Sequence, residues 1–279
     1  MKPSDPNASS SIFGSALSVR PQGAGGFSVS NIPLRLLIRM AYGVQDFQIV
    51  GGPSWQMSSK FDIAAKAPEA TKGAQELLPM MKTLLAERFK LKTHTETREL
   101  PIYALTLARG DGQLGPDIKP SSADCSNAAA DAQKRAEEIA KGGSAALLSM
   151  LAKGETIPCT IMPAINSSNP AAGFGLRGNG QAMTGLTQFL TAVTGRMVHD
   201  KTGLTGLYDF ELRFDPQVLM AMLPQLGVNV PAATTANLPG SDSPALLTAL
   251  QEQLGLKLDS QRGPVEVLVI DSAEMPEPN

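Results

Sequence analysis

The stretch VHDKTGLTGLYDFEL, residues 198–212, decides the fold because it repeats an element found earlier in the chain. It can be set over FQIVGGPSWQMSSKFDI, residues 47–63, so that Asp209 lies opposite Asp62. In both stretches a short apolar segment leads into a glycine-containing turn, and alternating apolar and polar residues follow, which is typical of a half-buried strand. The two stretches therefore predict one strand-turn-strand element that is present twice.

The segments on either side of this element also recur in the same order. Residues 26–109 predict a strand, a helix, two strands, a helix and a closing hairpin, and residues 180–279 predict the same series. Strands are indicated by alternation with a period of two, and helices by an apolar face at helical spacing. We therefore predict an α+β fold of two related strand-helix-strand-strand-helix-strand-strand modules that arose by internal duplication, each a small sheet with helices on one face.

Three segments fall outside the repeat. Residues 1–25 are rich in serine, proline and glycine and predict a flexible N-terminal arm. Residues 110–179 predict a connecting insert with short helices, and residues 216–243 predict a loop excursion within the second module. A loop of that length is usually functional or disordered, so two interpretations stay open: a short helix packed on the sheet, or a mobile flap over a groove or partner site.

The charge balance excludes some classes of partner. The chain has 279 residues, of which 24 are basic and 26 acidic, so its formal net charge of -2 provides no field that would attract nucleic acid. No apolar run approaches the roughly 18 residues that span a bilayer, so no membrane insertion is predicted. A protein or a small molecule is the expected partner.

The two cysteines, Cys125 and Cys159, lie in a stretch rich in alanine, serine and glycine, outside the strongly patterned segments. An even number of cysteines in polar surroundings fits a disulfide that closes one irregular loop, which in the chain-entropy model contributes roughly 3 to 4 kcal/mol. The alternative is a pair of unrelated free thiols. Metal binding is disfavoured because two sulfurs without nearby histidines make at best half of a site.

Catalytic candidates are few because the chain has only two histidines, His94 and His199. Each has an acid close in sequence, Glu96 and Asp200 respectively, which could act with the histidine in acid-base chemistry. Both histidines fall in segments of alternating polarity, where successive side chains point to opposite faces of a strand. The direct neighbours His199 and Asp200 are therefore expected to be a strand end next to a turn rather than part of a triad.

Motifs for metals, cofactors and nucleophiles are absent from the sequence. It contains no H-x-x-x-H, no H-E-x-x-H, no calcium loop of the D-x-D-x-D-G type and no G-x-S-x-G elbow, so no metal and no cofactor is predicted. Gly173, Gly175 and Gly178 have the G-x-G-x-x-G spacing. A dinucleotide site needs a strand before this motif and a helix after it, so we interpret these glycines as a linker.

Trp55 is the only tryptophan and lies in the turn of the first strand-turn-strand element. An indole at such a place either packs over the edge of the sheet or stacks on a ligand. Trp55 is therefore a candidate binding residue, with core packing as the alternative. Tyr103 and Tyr208 lie within predicted strands and are expected in the core or on a sheet face.

Five blocks of sequence in a fixed order resemble a known family. They are LLIRMAYGVQDFQIVGGPSW, FDIAAKA, LLAERFKLKTHTETRELPIYAL, VHDKTGLTGLYDFEL and ALQEQLGLKLDSQRGPVEVLVID, and the resemblance covers the chain from about residue 26 onward. Together they are similar to the soil-associated exported protein family of soil bacteria, whose defining domain has no assigned function. The order of elements in each module is also similar to the small signalling domain at the N-terminus of secretins and TonB-dependent receptors, an analogy of fold only.

The resemblance implies an exported protein. Members of the family usually follow a signal peptide, and some carry the domain behind a sensor-type membrane metallopeptidase, so it implies a periplasmic or extracellular location with the signal peptide removed from this chain. An oxidising location also supports the Cys125–Cys159 disulfide. Members commonly begin with a strand of the F-E-V-A-S-V-K-P kind, of which only MKP is present here. We therefore expect an edge strand of the first module to be missing or replaced.

Two hypotheses for the function follow. The first is an exported, non-catalytic binding or interaction protein of the cell envelope, whose partner is an envelope protein or a small ligand; sheet edges are natural sites for strand addition. The alternative is a hydrolase of unrecognised type with its site in the cleft between the two repeats, using His94, Glu96, His199 and Asp200 as acid-base groups. The lack of a catalytic constellation in the sequence favours the first.

Overall fold

The computed structural model describes residues 2–3, 20–21, 26–66, 74–128, 130–131, 159–165, 174–215, 217–218 and 244–277. These residues form a mixed α+β fold with three four-stranded sheets and four helices, which confirms the predicted fold class. They divide into two compact units. Unit one contains the described residues up to Leu100 and those from Gly263 onward, and unit two contains the described residues from Pro101 to Arg262.

Unit one is built on an antiparallel sheet with the strand order β1-β5-β3-β2. Its strands are β1 (Lys2–Pro3), β2 (Arg20–Pro21), β3 (Gly26–Pro33) and β5 (Lys60–Lys66). The expectation of a missing edge strand is wrong, because Lys2 and Pro3 of the MKP segment pair with Asp62 and Phe61.

Two helices contribute to the core of unit one, α1 (Leu34–Tyr42) and α2 (Ala74–Arg88). The buried face of α1 has the helical spacing that the sequence predicts and consists of Leu34, Leu37, Ile38 and Ala41. This helix ends at Gly43, whose φ of 67° is the left-handed conformation that glycine adopts at helix ends. Leu85 of α2 and Phe61 of β5 belong to the same buried cluster as these residues, so both helices pack against the sheet.

Unit two has a second antiparallel sheet, with the strand order β7-β11-β9-β8. Its strands are β7 (Ile118–Pro120), β8 (Thr160–Ile165), β9 (Phe174–Gln181) and β11 (Tyr208–Phe214). The interpretation of Gly175 and Gly178 as a linker is therefore wrong, since both lie in β9. Strands β7, β8 and most of β9 fall within residues 110–179, the predicted connecting insert, for which the sequence predicted no strands.

The core of unit two is formed by β11 together with helices α3 (Met183–Thr194) and α4 (Leu246–Ala249). α4 continues into one π-helical segment, Leu250–Leu254. The fully buried members of this core include Leu186, Leu190, Leu212, Phe214, Leu250 and Leu254. Alternate residues of β11 point into it, as the period of two predicts.

The third sheet has the strand order β10-β6-β12-β4 and contains the two longest strands. The sequence predicts a hairpin at the end of each module, but the structure has single continuous strands there, β6 (Lys92–Leu107) and β12 (Leu256–Ser272). Within unit one, β4 (Ile49–Gly51) pairs in parallel with residues 268–270 of β12. Within unit two, β10 (Val198–Asp200) pairs in parallel with residues 103–105 of β6.

The order of elements recurs along the chain as β3-α1-β4-β5-α2-β6 and then as β9-α3-β10-β11-α4-β12. This is the predicted series, with each terminal hairpin replaced by one long strand. The origin of the two halves by duplication stays a prediction.

Some predicted features lie outside the described residues. These are the short helices of the insert, most of the arm 1–25 and most of the excursion 216–243. Among the helices that the structure does describe, none combines the length and the apolar character needed to cross a membrane.

Gly178 provides a test of the packing in unit two. A Cβ atom at this position would overlap the ring of Phe210, whereas a Cβ atom at Gly110 would have no neighbour within 4 Å. We expect Gly178→Ala to lower the free energy of unfolding by about 1 to 3 kcal/mol, as overpacked cores do, and Gly110→Ala to change it little. Chemical denaturation of both variants measures this, and equal stability of the two would contradict the described packing.

Candidate functional site

A polar groove lies on unit two, where strands β7, β11 and β9 run side by side. Its volume is about 340 Å³. The lining residues are Pro116, Asp117, Ile118, Lys119, Arg177, Gly178, Asn179, Asp209, Phe210 and Glu211. This volume is at the small end of the range for ligand sites, which runs from about 300 to 1,000 Å³. Five of the ten lining residues are ionisable, so the groove differs from the apolar core beneath it.

The strand register brings these charges together in two rows. In the first row Lys119 of β7 lies opposite Asp209 of β11. In the second row Glu211 of β11 lies opposite Arg177 of β9. Asp117 borders the second row, since its carbonyl oxygen accepts the backbone N–H of Glu211 at 2.9 Å. Charged side chains of both signs therefore lie within two adjacent rows of one sheet face.

Glu211 is held by two arginines. Arg177 Nη2 donates to Glu211 Oε2 at 3.1 Å, and Arg213 donates to Oε1 through Nη2 at 2.8 Å and through Nε at 2.9 Å. Burial raises the pKa of Glu211, but the bonds and charges of the two arginines outweigh this effect and hold the pKa below its usual value. The Glu211 carboxylate is thus ionised and already compensated.

Asp209 has a structural task as well as a place in the groove. The register of β9 and β11 shifts by one residue between Tyr208 and Phe210, which is a β-bulge. The bulged residue Gly180 has a φ of 61°, and its N–H donates to Asp209 Oδ1 at 2.9 Å. This bond leaves the charge of Asp209 without an ion-pair partner among the described residues.

Unit one contains the same bulge. There Asn31 has a φ of 58° and donates its N–H to Asp62 Oδ1 at 2.9 Å. The predicted correspondence of Asp62 and Asp209 therefore coincides with one shared hydrogen bond. Two residues after each of these aspartates, the sheet pairs Ala64 with Ser28 in unit one and Glu211 with Arg177 in unit two. Ser28 and Ala64 therefore occupy the positions that Arg177 and Glu211 have in unit two.

Comparison of the two units distinguishes residues that maintain the bulge from residues that are found in unit two alone. The aspartate and the left-handed residue occur in both units and maintain the sheet. The ion pair between Arg177 and Glu211 occurs only at the unit-two position, since serine and alanine take these places in unit one. This pair is therefore not required by the bulge, which makes it the better candidate for a functional feature.

The disulfide between Cys125 and Cys159 confirms the sequence prediction and lies against the bulge. Cys159 donates its N–H to the carbonyl oxygen of Asn179 at 2.7 Å. A Cβ atom at Gly180 would lie 3.0 Å from Cys125 Sγ and 2.8 Å from the Cβ of Ala123, so only glycine fits there. The disulfide thereby fixes the wall of the groove that contains Asn179.

His94 and Glu96 lie on β6 in unit one, where the structure adds a third group. His94 Nδ1 is 2.8 Å from Asp271 Oδ1, and its Nε2 is 4.0 Å from Glu96 Oε2. The His94 and Asp271 side chains are 51% and 45% exposed. Water thus reaches both partners, unlike the buried base of a typical catalytic pair. Glu96 is also bound by Arg98.

His199 and Asp200 lie on β10 in unit two. Asp200 Oδ1 accepts the N–H and the hydroxyl of Thr202 at 2.9 and 2.7 Å, which closes the turn after the strand. This geometry agrees with the interpretation of the segment as a strand end next to a turn. Asp200 is therefore engaged by Thr202, and His199 belongs to a different unit from His94.

Trp55 packs against the core of unit one. Its ring stacks on Phe89 with centroids 6.4 Å apart and meets Phe61 edge-on at 6.2 Å. The indole therefore makes contacts with two aromatic rings, as the core-packing alternative predicts. Binding of a ligand by Trp55 stays a prediction. Tyr208 is buried, as expected for a core residue.

Sequence reasoning missed most of the groove. Of its charged residues only Asp209 had been noted, through its match with Asp62. Lys119 and Asp117 lie at a strand of three residues, which is too short to show a period, and Arg177 lies in the stretch interpreted as a linker. Among the described residues, no group of three or more His, Cys, Asp or Glu side chains is placed to hold a metal ion.

A family model described as "Protein of unknown function (DUF3738)" matches residues 35–273, which is most of the chain. No curated protein and no solved structure matches the chain.

The pairing of Glu211 predicts a pH dependence of stability. Because the pKa of Glu211 is lower in the folded state than in the unfolded state, its contribution to stability is present at neutral pH and is lost as the pH falls through the folded-state pKa. We expect Glu211→Gln to be less stable than wild type at about pH 7, and the difference to shrink as the pH falls through the acid range. Denaturant unfolding over this range measures the difference, with Glu266→Gln, an exposed glutamate of unit one, as the control. A difference that grows on acidification would contradict the pairing.

Proposed function

Because the chain belongs to the DUF3738 family, whose description assigns no activity, we propose its function from the groove itself: the protein is an exported, non-catalytic binding module of the cell envelope, and the groove of unit two binds its ligand. The observation that carries this proposal is the placement of five ionisable side chains around one concavity, four from three strands and Asp117 from the turn before β7. Ligand sites contain a few convergent polar groups that fix the orientation of the ligand, and the open groove of unit two has such groups.

The charges in the groove are of the kind that recognises a ligand. Lys119 and Asp117 make no ion pair among the described residues, so each has hydrogen-bonding capacity that an incoming molecule can use. Arg177 gives one nitrogen to Glu211 and has two others. Ile118 and Phe210 are buried in the core beneath these charges. Such a site binds by complementary charge and shape, with no need for a nucleophile or a base.

The disulfide supports the export of the protein. Disulfides form and persist in oxidising compartments such as the periplasm and the extracellular space, and are rare in the cytosol. The bond between Cys125 and Cys159 also fixes the wall of the groove. An oxidising location would therefore favour the form of the protein in which the proposed site is complete.

A library of charged and polar metabolites tests the binding function. We expect saturation-transfer NMR to find compounds that bind the wild-type chain and lose their signal with the double variant Lys119→Met/Arg177→Gln, because this variant removes both cations that line the groove. The matched control is Lys92→Met/Arg98→Gln, which removes two cations from β6 in unit one. If no compound distinguishes wild type from the groove variant, the groove is not the binding site.

A hydrolase is the second candidate, favoured by the contact between His94 Nδ1 and Asp271 Oδ1 at 2.8 Å. A carboxylate in this position can orient a histidine that acts as a general base. Both side chains are about half exposed, however, and the pair belongs to unit one, whereas the groove belongs to unit two.

A panel of ester, phosphate, sulfate and glycoside substrates separates the two functions. For a binding module we expect any turnover by the purified chain to be the same in wild type, His94→Ala and His199→Ala, because no catalytic group has been removed. Turnover that disappears in His94→Ala and in Asp271→Asn but persists in His199→Ala would favour the hydrolase.

A further inference from the structure

We propose that the groove of unit two binds a zwitterionic ligand, with an ammonium group and a carboxylate group, of the size of an amino acid or a short peptide. This inference rests on the proposed binding function and names the chemistry of the ligand. It is drawn from the charged groups of the groove that have no ion-pair partner among the described residues.

The positive end of the groove lies at Lys119 and Arg177. Lys119 is exposed and has no ion pair among the described residues, and Arg177 shares the single carboxylate of Glu211 with Arg213. Two guanidinium groups on one carboxylate leave one positive charge in excess. A ligand anion can therefore bind here without displacing an existing ion pair, and the charge-assisted bonds to Lys119 and Arg177 suit a carboxylate.

The negative part of the groove is formed by Asp117 and Asp209. Asp209 uses Oδ1 for the N–H of Gly180, which leaves Oδ2 for other donors. The Asp117 side chain has no ion pair or hydrogen bond among the described residues, since only its backbone groups are bonded. Two carboxylates without a cationic partner create a site for a ligand cation.

That cation is better matched by an organic ammonium than by a metal ion. Metal ions require several ligand atoms converging on one point, and the described residues contain no group of three or more acidic, histidine or cysteine side chains so arranged. An ammonium group has three N–H donors and accepts more widely spaced acceptors. Two aspartates on neighbouring strands meet this weaker requirement.

The spacing of the charges also excludes a ligand of one sign. In the first row Lys119 lies directly opposite Asp209, so positive and negative groups are neighbours on adjacent strands. A dianion at Lys119 would be repelled by Asp209 and Asp117, and a dication at Asp117 would be repelled by Lys119 and Arg177. A compact molecule with both charges satisfies both ends at once, and the volume of about 340 Å³ suits a small one.

Unit one provides an internal comparison. At the positions of Arg177 and Glu211 the register of its sheet places Ser28 and Ala64, while the bulge aspartate is retained. The fold can thus form the same sheet without the charged pair. Lys2 lies opposite Asp62 in unit one just as Lys119 lies opposite Asp209, so only the second row, Arg177 with Glu211, is specific to unit two.

Four forms of one dipeptide test this inference with the full-length oxidised chain. The probes are L-alanyl-L-alanine, its N-acetyl form, its C-terminal amide and the form blocked at both ends, so size and shape hardly change while each charge is removed in turn. We expect the free dipeptide to bind most tightly and each single block to weaken binding by about tenfold, the effect of losing one charge-assisted bond. Calorimetry gives the affinities, and amide chemical shifts locate the site.

Three variants assign each end of the ligand. In Lys119→Met the C-terminal amide should lose less relative to the free dipeptide than it does in wild type, because one of the two cations that bind the carboxylate is gone. In Asp117→Asn the N-acetyl form should lose less relative to the free dipeptide than it does in wild type. Lys92→Met removes an exposed lysine of a unit-one strand and should retain both preferences.

The outcomes distinguish this inference from the binding function on which it rests. If a singly or doubly blocked peptide binds as tightly as the free dipeptide, or if none of the four shifts the signals of residues 117–119, 177–179 and 209–211, the zwitterionic class is wrong. A groove ligand of a single charge sign from the metabolite library would then leave the binding function intact. The free amino acid L-alanine, measured in parallel, decides whether one residue is enough.

Discussion

One hydrogen bond in each unit, from a backbone N–H to an aspartate oxygen, sets the register of the sheet. In a regular strand, residues three apart point to opposite faces, yet Val29 and Ile32 of β3 are both buried in the core of unit one. The bulge between them takes up one residue and restores the inward direction. The extra residue, Asn31, adopts a left-handed φ, and Asp62 accepts its N–H, which would otherwise lack a partner in the ladder.

In unit two the same hydrogen-bonded bulge lies next to the disulfide and the groove. Asp209 holds the N–H of Gly180, and the disulfide packs so closely on this residue that no side chain fits. Asn179, next to Gly180, accepts the N–H of Cys159 and lines the groove. The constraint that sets the register therefore also fixes one wall of the proposed site, and a ligand would meet a surface that is already ordered. Such preorganisation reduces the entropic cost of binding.

The sequence predicts the regular elements well and the connections between them less well. α1 and β11 have clear periods, and their buried residues are those that the periods indicate. The predicted hairpins at the end of each module are wrong, because β6 and β12 run without a break through Pro101 and Pro264. A proline lacks one donor and has a fixed φ that an extended strand can accommodate, so it weakens a strand locally without ending it.

The site was harder to predict than the fold, for a physical reason. The groove takes its residues from three strands that are far apart in sequence, and only the pairing register brings Lys119, Asp209 and Arg177 into adjacent rows. Histidines attract attention in a sequence because of their chemistry, whereas a lysine or an arginine on a strand resembles any solvated residue. What distinguishes Arg177 is the comparison with Ser28 at the equivalent position of unit one. Residues that occur in both units are explained by the bulge that both units contain. Charged residues that occur in only one unit have no such explanation, so a ligand should be sought next to them.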